Sequence, residues 1–156
     1  MRLYLDTEFN GFGGELISLA LVPQTGGLHP VLPKAGVDAA FYEVCLWQEQ
    51  TDPWVQQNVV PKLEKKPLPV MQFRSSFHDW IKHWINPEII CDWHADAQHF
   101  CSLLAGRDYG SSLDLGCTIT ILRTPPGCPT YSNPHNALAD ALALREWHES
   151  LMASAA

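Results

Sequence analysis

Positive charge is scarce in this sequence. Lysine and arginine number 10 against 17 aspartates and glutamates, for a net charge of −7 over 156 residues. A protein that coats duplex nucleic acid by neutralising many phosphates needs a basic face, so the composition argues against that mode of binding. Grip on a single-strand end stays open, because clustered carboxylates are neutralised locally by divalent cations and bases stack on aromatic rings. Paired cysteines are also lacking: Cys45, Cys91, Cys101, Cys117 and Cys128 are odd in number and contain no C-x-x-C pair. A disulfide framework is therefore not expected, and a reducing cytoplasm is the simplest setting. No apolar run approaches the roughly 18 residues that span a bilayer, and Met1-Arg2 leads directly into the strand-like Leu3-Tyr4-Leu5. The expectation is a cytoplasmic protein with neither export signal nor membrane segment. Internal repeats and low-complexity tracts are missing too, while a hydrophobic content of 46% excludes a disordered chain. Residues 1–156 are expected to fold as a single domain.

The first third of the chain carries strand signals at 2–9, 16–22 and 39–47, the first two separated by the glycine-rich turn Gly11-Phe12-Gly13-Gly14. Three successive strands joined by turns predict an antiparallel meander. From Asp52 the period changes: Pro53, Trp54, Val55, Asn58, Val59 and Leu63 suit a short helix, and Phe77, Trp80, Ile81 and Trp84 suit a second over 75–84. Residues 88–93 read as a buried strand and 96–105 as a helix stopped by Gly106. A further helix is expected over 115–122 with Asp114 as N-cap, before the breaker Pro125-Pro126-Gly127, and a final one over 136–151. The whole reads as an α/β domain with one mixed sheet and helices packed on it.

Chemistry enters at Asp6-Thr7-Glu8. Side chains alternate along a strand, so Asp6 and Glu8 project from one face, flanked by the apolar Leu3, Leu5 and Phe9. Like charges in such a setting repel, and a bound cation relieves them; taken alone, Asp-x-Glu is equally a solvated strand end. At the other end of the chain, Asp140 falls within the apolar stripe Ala137, Ala141, Leu144, Trp147 and Leu151, where a carboxylate needs a partner; pairing with Arg145 is the bland alternative. His135 lies five residues earlier, about 140° away on a continuous helix. Asn136 is a good N-cap, so a helix beginning after His135 leaves the imidazole in the entering loop, free to reach over Asp140.

These residues resemble the DEDDh 3′-to-5′ exonucleases of the ribonuclease-H-like fold, a family that includes RNase T, oligoribonuclease and proofreading exonucleases. Asp6-Thr7-Glu8 looks like the first motif, and His135-Asn136-Ala137-Leu138-Ala139-Asp140 looks like the third, His-x4-Asp. The stretch Asp52-Pro53-Trp54-Val55 with Asn58-Val59 is similar to the small bacterial and phage exoribonuclease-like branch. The second motif departs from the usual pattern, reading Cys91-Asp92-Trp93-His94-Ala95-Asp96 where many relatives carry His-Asn-x-x-Phe-Asp. Asp96, at a helix start, is the preferred carboxylate; Asp92, within the strand, is expected to cap or pair locally.

The resemblance implies a three-layer domain whose sheet is antiparallel over its first three strands and then parallel. It also implies two Mg²⁺ or Mn²⁺ ions about 4 Å apart, held by Asp6, Glu8, Asp96 and Asp140, with Asp6 bridging and His135 accepting the proton of the attacking water. Single-stranded RNA or DNA 3′ ends are the implied partners, RNA ahead of DNA, and several relatives are homodimers, which leaves a homodimer open. Thr7, Phe9, Phe12 and Trp93 lie near the motifs as substrate contacts, the aromatic ones offering stacking surfaces.

Three other readings compete. Cys91, His94, His99 and Cys101 crowd a short stretch, but spread across strand, loop and helix they lack the paired spacing of a zinc site. A non-catalytic nucleic-acid-binding or interaction module and a ribonuclease-H-like endonuclease would each account for part of the pattern.

Overall fold

The computed structural model describes residues 1–28, 30, 39–105, 112–123 and 133–155. Its centre is strand β1 (Arg2–Phe9), which alternates side chains between two buried faces. Strand β2 (Leu16–Pro23) is almost wholly apolar and pairs antiparallel with β1, from Leu3 opposite Pro23 to Glu8 opposite Ser18, with a slip at Glu8/Phe9. The turn between them requires glycine at position 14: a Cβ there would stand 1.9 Å from the Asn10 carbonyl oxygen. Strand β3 (Phe41–Val44) pairs antiparallel with β2, and β4 (Glu88–Cys91) pairs parallel with β1 on its other side. With β5 (Thr118–Ile121) parallel to β4, the sheet runs β3-β2-β1-β4-β5.

Both faces of this mixed sheet are covered. Leu3, Leu5, Leu19, Leu21 and Ile89 meet Phe73, Phe77 and Phe100 from helices α2 (Val70–Ile81) and α3 (His94–Ala105). On the opposite face Tyr4, Ala20, Val22 and Ile90 meet Ala137, Ala141 and Leu144 of α4 (Ala137–Ser154). Helix α1 (Pro53–Asn58) starts on an Asp52 cap that accepts from the Trp54 and Val55 N–H groups, and a 3-10 turn, Val60–Lys62, follows it. Val55 and Val59 seat this segment on Ile17. Among the described residues no helix is long and apolar enough to cross a membrane.

The expected α/β architecture and the antiparallel-then-parallel sheet are present. One element is corrected: 115–122 is not a helix capped by Asp114, since Thr118–Ile121 forms β5. Thr-Ile-Thr-Ile is β-branched throughout, and such side chains fit a pleated ladder better than a helix. The parallel edge of β4 supplies that ladder, from Glu88 opposite Thr118 to Cys91 opposite Ile121. Boundaries also move: β3 and β4 are shorter than expected, α2 begins at Val70, and α3 begins at His94. Gly106, Cys128 and Pro125-Pro126-Gly127 lie outside the described residues.

Phe77 is fully buried and makes edge contacts to Phe41 and Phe100, with ring centroids 5.9 and 5.8 Å away. Phe77→Ala is expected to destabilise the fold by about 3–5 kcal/mol, measured by urea unfolding. A loss below about 1 kcal/mol would show that this face does not hold the sheet as described.

Candidate functional site

The parallel neighbours β1 and β4 end on the same side of the sheet, where the chains of an α/β sheet diverge and leave a crevice. Alternation puts Asp6 and Glu8 on the face of Tyr4, toward α4, and α4 brings Asp140 there in its first turn. Asp92 follows the last residue of β4, and Asp96 occupies the first turn of α3. Side-chain oxygens of Asp6, Glu8 and Asp140 lie within 4.8 Å of one another, and so do those of Asp6, Asp92 and Asp96. Asp6 is common to both triplets.

Neighbouring groups fix these carboxylates. Thr7 faces α3, and both its hydroxyl (2.7 Å) and its N–H (3.2 Å) donate to Asp96 Oδ1. The Thr7 hydroxyl thus orients an acid of the cluster, and Thr7 also lines the cleft in which a substrate contact is expected of it. The His135 N–H donates to Asp140 Oδ2 at 2.9 Å, while Asp140 Oδ1 is buried with no hydrogen-bond partner among the described residues. Arg145 is not its partner, since that guanidinium reaches the Pro23 carbonyl. Asn136 caps α4 by accepting from the Ala139 N–H at 3.1 Å, so the helix begins after His135, whose backbone is left-handed at φ 69.

Asp92 is displaced from the strand position expected for it. It stands just past the strand and joins Asp96 in the second triplet, so both aspartates stand beside Asp6. The crowded Cys/His stretch does not converge: Cys91 is buried in the core, and His99 packs on Phe9 at 5.2 Å.

Burial and mutual repulsion govern the electrostatics. Asp6 is pushed well above the ordinary carboxylate range by burial first, then by Asp96, Glu8, Asp140 and Asp92. Burial, then Asp140 and Asp96, push Glu8 up to about 8. Asp96 rises to about 7 through burial, opposed by the Thr7 hydroxyl, and Asp140 to about 6 through burial, opposed by the His135 N–H. Groups so placed ionise readily only with a compensating cation. Hard oxygen donors in two triplets with a shared aspartate, plus an orphaned Asp140 oxygen, fit Mg²⁺ or Mn²⁺. His135 is shifted the opposite way: burial and then the Lys62 charge lower its pKa, keeping a neutral imidazole able to take up a proton.

The cluster lines a cleft of about 740 Å³. Along one wall Trp93 packs against Phe9 and Phe12, each with ring centroids at 5.6 Å. Phe12 is 89% exposed and Trp93 39%, so this wall presents ring faces to solvent instead of completing the core. Trp54 forms another part of the wall, edge-to-face with His135 at 4.9 Å. Sequence reasoning did not place Trp54 or Lys62 at the site; the usable signal was an exposed tryptophan directly after the Asp52-Pro53 helix start. No protein family, curated protein or solved structure is matched by this chain.

The raised carboxylates set the sign of the pH dependence. Their folded-state pKa values, up to about 8 for Glu8, exceed the unfolded values near 4, so the native state binds more protons between those limits. The metal-free protein should therefore lose thermal stability as pH rises from about 5 to about 8, and Mn²⁺ should restore more at the upper pH than at the lower. Melting curves that are the same at both pH values and unmoved by Mn²⁺ would contradict a cation site here.

Proposed function

We propose that this chain is a metal-dependent 3′-to-5′ exonuclease of the ribonuclease-H-like fold, releasing nucleoside 5′-monophosphates from single-stranded nucleic acid. The observation that carries this reading is the convergence of Asp6, Glu8, Asp92, Asp96 and Asp140 at the ends of two parallel strands, with His135 on the rim. The resemblance of the two terminal motifs to the DEDDh family supports it, and the likeness of Asp52-Pro53-Trp54-Val55 with Asn58-Val59 to the small exoribonuclease-like branch favours RNA over DNA.

Asp6 would serve both ion positions, with Glu8 and Asp140 on one side and Asp96, joined by Asp92, on the other. Bound Mg²⁺ or Mn²⁺ supplies Lewis-acid stabilisation of a phosphodiester and lowers the pKa of water. His135 would accept the proton of the attacking water at a ring nitrogen, and its backbone N–H keeps Asp140 oriented. Phe9, Phe12 and Trp93 offer ring faces to the terminal bases, and the described lining contains no lysine or arginine. Recognition then depends on stacking and on the bound cations more than on protein contacts to a long phosphate backbone.

The test is to incubate the protein with 5′-labelled single-stranded RNA and DNA in Mg²⁺, Mn²⁺ or chelator and follow the product ladders. Progressive shortening from the 3′ end, abolished by chelator, is the expected result. Internal cuts would mark an endonuclease, and binding without cleavage a non-catalytic module. His135→Ala should reduce turnover by about two to four orders of magnitude with the fold and Mn²⁺ binding retained; activity within a fewfold of wild type would remove His135 from the chemistry.

A further inference from the structure

His135 sits in a segment with little regular structure of its own. Its left-handed backbone is uncommon outside glycine, so its geometry depends on neighbours. Those neighbours come largely from one place, the segment Asp52 to Lys62. The Lys62 ammonium donates to the Pro134 carbonyl, and the Lys62 carbonyl accepts from Asn136 Nδ2 at 2.8 Å. The two residues flanking His135 are thereby both tied to Lys62. Trp54, from the helix of the same segment, meets the imidazole edge-to-face.

The segment is itself anchored to the strand that carries Asp6 and Glu8. Buried Asn10, just past the end of β1, accepts from the Asp52 N–H at 2.8 Å and donates to the Gln50 carbonyl at 3.0 Å. Val55 and Val59 fasten the other side to Ile17 of β2. A continuous chain of contacts thus runs from β1 through Asn10, α1 and Lys62 to the loop bearing His135.

We infer that Lys62 is a positioning residue for His135, acting with Trp54 as a clamp that fixes the imidazole relative to the acidic cluster. Lys62 is not among the residues lining the cleft, and its ammonium is engaged by the Pro134 carbonyl. The catalytic part of this inference rests on the exonuclease reading; the clamp itself does not. Small displacements of a reacting group from its productive geometry are costly, so loosening the clamp lowers turnover more than substrate affinity.

Lys62→Met should reduce kcat by about ten- to a hundredfold with KM for a short oligonucleotide within about threefold of wild type. Lys62→Arg, which keeps a donor for the Pro134 carbonyl, should recover most of the loss. In a His135→Ala background, Lys62→Met should cost nothing further, because the group it positions is gone. An equal loss in both backgrounds, or an arginine no better than methionine, overturns the inference. A second readout needs no activity: the His135 ring-proton resonances carry the ring current of Trp54 and should move in both Lys62→Met and Trp54→Leu. If the wild type cleaves nothing, the exonuclease reading fails and these resonances alone decide the clamp, which falls if Lys62→Met leaves them unmoved.

Discussion

Repulsion among carboxylates around Asp6 is the constraint on which this molecule's organisation turns. Asp6 is shared by two acidic triplets, and every charge in them raises the cost of ionising the others. A fold stabilised by its apolar layers gains nothing from such an arrangement unless a cation completes it. The surrounding protein holds the acids in place instead of dispersing them. Thr7 orients Asp96, the His135 N–H orients Asp140, and the rigid β1 strand holds Asp6 and Glu8 on one face.

The sheet makes this possible through its direction changes. β1 is antiparallel to β2 but parallel to β4, and the helices that follow cover opposite faces. Helix α3 therefore starts on one side of the strand ends and α4 starts on the other, each with an aspartate in its first turn. A helix N-terminus favours negative charge, which makes the first turn a natural position for an acid. Strand and helix termini meet at one crevice, and the exposed rings of Phe12, Trp93 and Trp54 wall it.

What the sequence made legible followed from local periodicity. The common face of Asp6 and Glu8 came from strand alternation, the misplaced charge at Asp140 from a helical stripe, and the start of α4 after His135 from the capping preference of Asn136. Features decided by distant partners were not legible. Residues 118–121 become a strand because β4 offers a parallel edge. Asp92 and Asp96 are both drawn to Asp6 because β4 ends and α3 begins beside it, a fact no spacing within residues 91–96 contains. Lys62 and Trp54 reach His135 across more than seventy positions, through a clamp that exists only once the sheet has formed.

The central claim is that the acids around Asp6 form a paired cation site, and an anomalous difference map from a crystal soaked in Mn²⁺ tests it most directly. Two peaks are expected, one among Asp6, Glu8 and Asp140 and the other among Asp6, Asp92 and Asp96, with Asp6 reaching both. A map with no peak in this cleft at saturating Mn²⁺ would contradict the claim.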